Sequence, residues 1–411
     1  MRLLRLAFLL CLMAAMCFAA ELKVTNVQAV PRWPWNGKVD ISYCIEYADF
    51  DENTMSITVK LHGYDKDKDV AMDVKTVSGD GILSSVKPGG PYHLVWDAST
   101  DYPTLNSSSF HLGVQAVLSR TGGQAPNVNY MVVDLTTGKT RYTNEAPDLT
   151  SDTCRTTELW MRWIPAGTFT MGSPEDELGR DDRDGREVQH DVTLSKGYWM
   201  GIFEVTQKQW SLLTGSNPSY YQGDTRPVEC VSYNDIRGTE EGAGWPSGGH
   251  EVDAESFLGK LRSKTGLAFD LPTEAQWEYA CRAGTTTALN SGKNLTETLV
   301  CPNMAEVGRY WYNRSDGRGG YNEHTKVGSY LPNAWGLYDM HGNVYEWCLD
   351  WYGNYPMSAV TDPQGSPAGS VRVLRGGRWY SGARGCRSAH RDYYYPSYCS
   401  NRIGFRGVVC P

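Results

Sequence analysis

The chain has 411 residues, with 39 Lys plus Arg against 47 Asp plus Glu and a formal net charge of −8. At roughly 100 to 200 residues per domain, this length predicts two or three folded units, and the 40% hydrophobic share excludes wholesale disorder. An acidic chain without a Lys/Arg-rich run lacks the clustered positive charge that displaces phosphate counterions, so nucleic acid is excluded as the expected partner. The 14 Trp and 25 Tyr point instead to contact surfaces, because these side chains join large area to a polar handle.

At the N-terminus, Arg2 and Arg5 flank the start of an apolar run from Leu6 to Phe18 that closes on Ala19 and Ala20. That is the order of a secretory signal, so residues 1–20 are expected to direct export to a secreted or periplasmic location. The run is short for a bilayer, and no later stretch approaches the roughly 18 apolar residues of a membrane span. Nine cysteines remain after the signal: Cys44, Cys154, Cys230, Cys281, Cys301, Cys348, Cys386, Cys399 and Cys410. An oxidising compartment permits disulfides, and the odd count leaves at least one thiol over or bridged to another molecule. None of the nine forms a CxxC pair, so neither a zinc ribbon nor a thioredoxin-type centre is expected.

Residues 21–145 read as short strands. Val39, Ile41, Tyr43 and Ile45 alternate with more polar neighbours, as do Ile57, Val59 and Leu61, then Phe110, Leu112, Val114 and Ala116. Turn formers separate them at a spacing that predicts an all-β sandwich, read as a spacer or adhesion module. The isolated His62, His93 and His111 are expected to be ordinary strand residues. Residues 146–158, with their polar start, are the expected linker.

From residue 159 to 411 the texture changes to Gly, Trp and Pro with few helical signals, an α+β composition of low regular content. Thr206 with Gln209 forms a capping-box pattern ahead of Trp210, Leu212 and Leu213, with Gly215 placed to stop the helix. Asp253 is expected to open a second helix carrying Phe257, Leu258 and Leu261. Thr273 with Gln276 caps a third before Gly284.

Here the chain resembles a known family. The strings IPAGTFTMGS (Ile164 to Ser173), Glu204-Val205-Thr206, LPTEAQWEYA (Leu271 to Ala280), NAWGLYDMHGNVYEW (Asn333 to Trp347), RVLRGG (Arg372 to Gly377) and Gly404-Phe405-Arg406 are similar, in order and spacing, to the sulfatase-modifying-factor family. Its best-known members are formylglycine-generating enzymes. The resemblance covers about residues 159–409 and implies a C-type-lectin-like fold. It also implies a structural calcium held by Asp339 and Glu346 side chains and by the carbonyls of Gly342 and Val344, sensible chemistry because Ca²⁺ takes six to eight oxygens. Without the resemblance, two acids seven residues apart read as a solvated turn.

The resemblance further implies an oxidase that converts a sulfatase cysteine to formylglycine, using O₂ and a copper(I) ion held by two cysteines at the fourth and ninth residues after Arg-Gly-Gly. Counted from Gly377, those are Ser381 and Cys386. A hydroxyl is a hard, weak ligand for copper(I), so copper is not expected here. Arg378 also stands where the family has serine. Cys386 with His390 is a possible nucleophile and base, weighed against a buried structural cysteine.

The variable-looking part of residues 380–401 comprises Tyr380, Ser381, His390, Asp392, Tyr393, Tyr394, Tyr395, Tyr398 and Asn401 with further Ser. This resembles a paratope, in which Tyr supplies area and small polar residues adapt their hydrogen bonds. It also resembles the variable region of diversity-generating-retroelement target proteins. The alternative is that the tyrosines pack the last strands, although three consecutive strand residues cannot all face one core. Two functions follow: a formylglycine-generating oxidase acting on a sulfatase polypeptide, or a non-catalytic module that binds a protein or glycan.

Overall fold

The computed structural model describes residues 22–32, 37–47, 55–65, 70–72, 74–80, 86–103, 110–120, 128–181, 183–239, 245–314 and 323–410. The secretory segment expected at residues 1–20 lies outside the described residues. The chain divides into two compact units, Met1–Gln124 and Ala125–Pro411.

In the first unit, β1 (Lys23–Pro31), β2 (Lys38–Glu46), β3 (Met55–Asp65), β4 (Val70–Met72), β5 (Val77–Gly79), β6 (Gly89–Asp97) and β7 (Phe110–Arg120) form two antiparallel sheets, ordered β1-β2-β6-β5 and β4-β3-β7. Period-two patterning sends Val39, Ile41, Tyr43 and Ile45 from one sheet and Ile57, Val59 and Leu61 from the other into one buried cluster around Trp96. A short helix α1 (Ala98–Asp101) follows β6, and the Asp101 carboxylate accepts the Trp96 indole N–H at 2.8 Å. His62 pairs with Gln115 across the β3–β7 pair, at 2.7 Å.

The second unit begins with β8 (Tyr130–Asp134) and β9 (Thr140–Thr143), followed by the turn of helix α2 (Thr153–Thr156). Next come β10 (Glu158–Ile164), β11 (Gly167–Met171), β12 (His190–Leu194) and β13 (Tyr198–Gly201). β8 pairs with β10, setting Val133 opposite Leu159 and Val132 opposite Trp160, and β9 pairs with β8. The division therefore falls ahead of the expected boundary at residue 145, because Met131, Val132 and Val133 are buried in the second unit's cores rather than in the first. The expected linker at 146–158 is likewise part of this unit: α2 buries Cys154 and Arg155, and Arg155 Nε donates to the Val327 carbonyl at 2.9 Å.

Helices α3 (Gln207–Thr214), α4 (Tyr233–Arg237), α5 (Phe257–Thr265), α6 (Glu274–Arg282) and α7 (Pro302–Val307) carry the rest with short strands. Both expected capping boxes are present, at Thr206/Gln209 on α3 and Thr273/Gln276 on α6. The cap of α5 is Ser256 rather than Asp253: the Ser256 hydroxyl accepts Gly259 N–H at 3.1 Å, while Asp253 accepts Thr239 N–H at 2.5 Å. A further capping box, Ser232/Asp235, opens α4. The remaining strands are β14 (Phe269–Asp270), β15 (Gly308–Arg309), β16 (His341–Gly342), β17 (Tyr345–Trp351), β18 (Val360–Thr361), β19 (Arg372–Arg375), β20 (Asp392–Tyr394), β21 (Ile403–Gly404) and β22 (Val408–Val409). One sheet runs β14-β22-β13-β10-β8-β9 and another β20-β19-β17-β21.

Buried arginines tie these elements together, each bidentate to a glutamate: Arg387 to Glu187, Arg391 to Glu274 and Arg406 to Glu346. Removing one partner of such a pair costs about 3–5 kcal/mol, because the other charge is left buried alone. Among the described residues, no helix is long and apolar enough to cross a membrane.

Candidate functional site

The site is built on the turn after β19. Gly377 has φ +78°, and a Cβ there would meet Cys386 Sγ at 2.6 Å and the Gly385 carbonyl at 2.5 Å, so only glycine lets residues 378–386 fold back over it. Cys386 ends the 3₁₀ turn Ala383–Cys386 and is fully buried in an apolar cluster with Ala288, Leu289, Met304 and Tyr310. Desolvation pushes its thiol up to about 12, the opposite of what a nucleophile or metal-binding thiolate needs. Its carbonyl accepts from His341 Nδ1 at 2.6 Å, while His341 Nε2 accepts Asn290 N–H at 3.0 Å. Those two bonds define one neutral tautomer, and burial pushes that imidazole down to about 4.

Ser381 is half-buried beside this cluster, and its carbonyl accepts Trp311 N–H at 2.9 Å. His390 Nδ1 lies 3.9 Å from Glu187 Oε1, and burial followed by the Arg387 charge pushes the imidazole down to about 4. No hydrogen bond joins Cys386 to His390 among the described residues, and Cys386 takes the buried structural place weighed against a nucleophile. Two thiolates do not converge where the resemblance implies copper: the residues are one serine hydroxyl and one desolvated thiol, which do not fit copper(I).

The residues implied for calcium lie on the segment from Asp339 to Glu346, beneath a buried charge cluster. Arg406 holds both Glu346 oxygens at 2.6 Å, and Trp277 Nε1 adds a third bond at 2.7 Å. Glu204 accepts Asn343 Nδ2 at 2.5 Å and Val344 N–H at 3.1 Å. Asp339 accepts Gly328 N–H at 2.6 Å through Oδ2, while its buried Oδ1 has no partner among the described residues. Burial pushes the Asp339 carboxyl up to about 6 and Glu204 well above its ordinary range. The bare Asp339 oxygen suits a cation, but Arg406 neutralises the Glu346 charge and, with Trp277, places three donors on its two oxygens. The four-residue set of Asp339, Gly342, Val344 and Glu346 therefore does not fit a calcium cage in this structure.

The tyrosines of residues 380–401 divide among different partners. Tyr395 is 63% exposed and Tyr380 38%. Tyr394 and Tyr398 stack at 4.3 Å and 11°, and Tyr393 packs on Tyr352 at 4.4 Å. Asp392 accepts its neighbour's N–H, from Tyr393 at 2.9 Å, and the Asn401 carbonyl accepts Trp379 Nε1 at 3.1 Å. Tyr380 belongs to a run of rings that the sequence did not reveal. Tyr220, Tyr221, Trp379, Tyr380 and Trp311 follow one another edge to face, with centroids 4.9, 5.7, 5.2 and 4.3 Å apart. They come from three separate segments, and sequence offers no signal for such a meeting except the abundance of aromatics.

A separate cavity of about 560 Å³ is lined in part by His190, Glu274, Asp350, Tyr355 and Arg391. Asp350 Oδ2 accepts Glu274 N–H at 2.8 Å at the start of α6, and burial followed by the Glu274 charge pushes the Asp350 carboxyl up to about 7.

Residues 146–410 match the sulfatase-modifying factor enzyme 1-like domain, and the chain belongs to the sulfatase-modifying factor family. It is 27% identical over 304 residues to the formylglycine-generating enzyme of Mus musculus, covering 65% of this chain and 80% of that one. Over 240 residues it is 33% identical to the formylglycine-generating enzyme of Thermomonospora curvata, covering 55% and 69%. Among solved structures, Treponema denticola variable protein 1 is 26% identical with a TM-score of 0.49, over 62% of this chain and 96% of the other.

Proposed function

We propose that this family member is an exported, non-catalytic ligand-binding module that recognises its ligand through the aromatic surface around Tyr380. The observation that carries the reading is Ser381 in place of a copper thiolate, with the remaining thiol of Cys386 desolvated in an apolar cluster. Copper(I) wants two soft thiolates, and neither position supplies one. Arg378 strengthens the reading, since a guanidinium occupies the turn position next to Gly377 and packs over Tyr345 at 5.1 Å. Export rests on the order of residues 1–20 alone.

The oxidase is the competing reading, supported by the family itself. Copper-loaded protein incubated under O₂ with a sulfatase-motif peptide separates the two: mass spectrometry is expected to show unchanged cysteine. Appearance of the aldehyde would replace the binding module with the enzyme. Because Arg406 already neutralises Glu346, chelation by EDTA is expected to leave the melting temperature unchanged. A drop on chelation, with calcium found by metal analysis, would restore the calcium site.

A further inference from the structure

Two guanidiniums converge on the run of aromatic rings. Arg402 lies 4.1 Å and Arg314 4.7 Å from the Tyr380 centroid, and Arg314 also covers Trp311. Burial, with Arg402 close by, holds the Arg314 guanidinium below its ordinary range. The contrast with the interior is sharp: Arg387, Arg391 and Arg406 each face a glutamate, whereas Arg402 enters no ion pair among the described residues and its buried Nε has no hydrogen-bond partner. An anion placed beside Arg402 would give that guanidinium a charge-assisted partner. A guanidinium fork matches the paired oxygens of carboxylate or sulfate.

The rings beside these cations say what carries the anion. Tyr220 is 71% exposed at one end of the run and Tyr380 38% towards the other, so the ladder is open to solvent rather than closed into a pocket. Edge-to-face rings in a row offer successive apolar faces with hydroxyl tips, which suits an extended chain of saturated rings whose C–H faces pack on aromatic surface and whose hydroxyls bond the tips. Single-stranded nucleic acid also stacks on aromatics, but it requires a basic groove along its backbone, and this chain carries a net charge of −8 with no Lys/Arg-rich run.

We infer that the surface formed by Tyr220, Tyr221, Trp311, Tyr380, Arg314 and Arg402 binds an anionic carbohydrate, a chain of sugar rings bearing carboxylate or sulfate groups. The inference rests on the recognition reading and names its ligand class. Anionic groups sit on the Arg402 guanidinium, and the sugar rings lie along the aromatic run.

Calorimetry on the full exported chain tests this with oligogalacturonate, chondroitin sulfate oligosaccharide, a neutral dextran oligosaccharide, a thymidine oligonucleotide and inorganic sulfate. One or both anionic sugars are expected to bind, more weakly as salt rises, and the neutral sugar is not. Arg402→Gln should weaken binding about tenfold, the loss of one charge-assisted fork, at unchanged melting temperature. Tyr380→Ala should weaken it comparably and serves if Arg402→Gln does not fold. Equal binding of the neutral sugar, tighter binding of the oligonucleotide, sulfate alone matching the oligosaccharides, or indifference to both substitutions would each overturn the assignment. A neutral ligand or peptide lost on Tyr380→Ala would overturn the anionic class and leave the recognition surface standing. Formylglycine production by the copper-loaded protein would instead remove the recognition reading itself.

Discussion

Ser381 and Cys386 sit close together in the chain yet in different environments, and that difference sets what substitution can achieve. Ser381→Cys adds a second thiol at the half-buried position, but Cys386 stays desolvated with its thiol near 12. The variant is therefore expected to gain neither stoichiometric copper(I) binding nor formylglycine formation; competition with a colorimetric copper(I) chelator measures the first and peptide mass spectrometry the second. Asp350 offers a test of burial elsewhere. Its folded carboxyl titrates at about 7, against about 3.9 in an unfolded chain. Between those values the folded state binds more protons than the unfolded one, so the stability this group contributes is present below the unfolded value and is lost as pH rises through 7. Asp350→Asn keeps an acceptor for the Glu274 N–H and removes the titration. Relative to wild type, the variant's melting temperature should be higher at pH 8 than at pH 4.5, by several degrees; an equal difference at both pH values would contradict the assignment.

At the scale of elements, helix starts were legible because capping chemistry is local. Thr206 with Gln209 and Thr273 with Gln276 form reciprocal bonds within four residues, which sequence spacing displays directly. The start of α5 was misread because Asp253 and Ser256 are both good caps; Asp253 is drawn away to the Thr239 N–H, a partner fourteen residues earlier. Thr273→Ala should cost about 1 kcal/mol in urea denaturation, since it removes the acceptor for Gln276 N–H at the head of a helix packed through Trp277, Ala280 and Cys281. A loss of under about 0.3 kcal/mol would mean that packing alone holds α6.

At the scale of the molecule, the boundary between the units makes the clearest prediction. A fragment of residues 125–411 is expected to give one cooperative melting transition. A fragment of residues 146–411 lacks β8 and β9, leaves the β10 edge unpaired and deletes Met131, Val132 and Val133 from the core. At about 1.5–3 kcal/mol for each buried side chain, that loss approaches the whole stability of a domain, so the shorter fragment should aggregate. Calorimetry and size-exclusion chromatography distinguish the two. Equal stability of both fragments would mean that the strand pair is dispensable.

What the sequence determined by itself was everything carried by nearest neighbours and ordered motifs: the period-two strands around Val39 and Ile57, the capping boxes at Thr206 and Thr273, the family and the missing thiol at Ser381. What only the tertiary structure decided was pairing at long range. It joined β8 to β10 across the expected linker, set Arg406 on both oxygens of Glu346, sealed Cys386 among apolar side chains, and brought Tyr220, Trp311 and Tyr380 from distant segments into one run of rings. The physical reason is common to all four. A residue type and its spacing state what a group is able to bond, but burial and the competing partner that arrives through space decide which bond it makes.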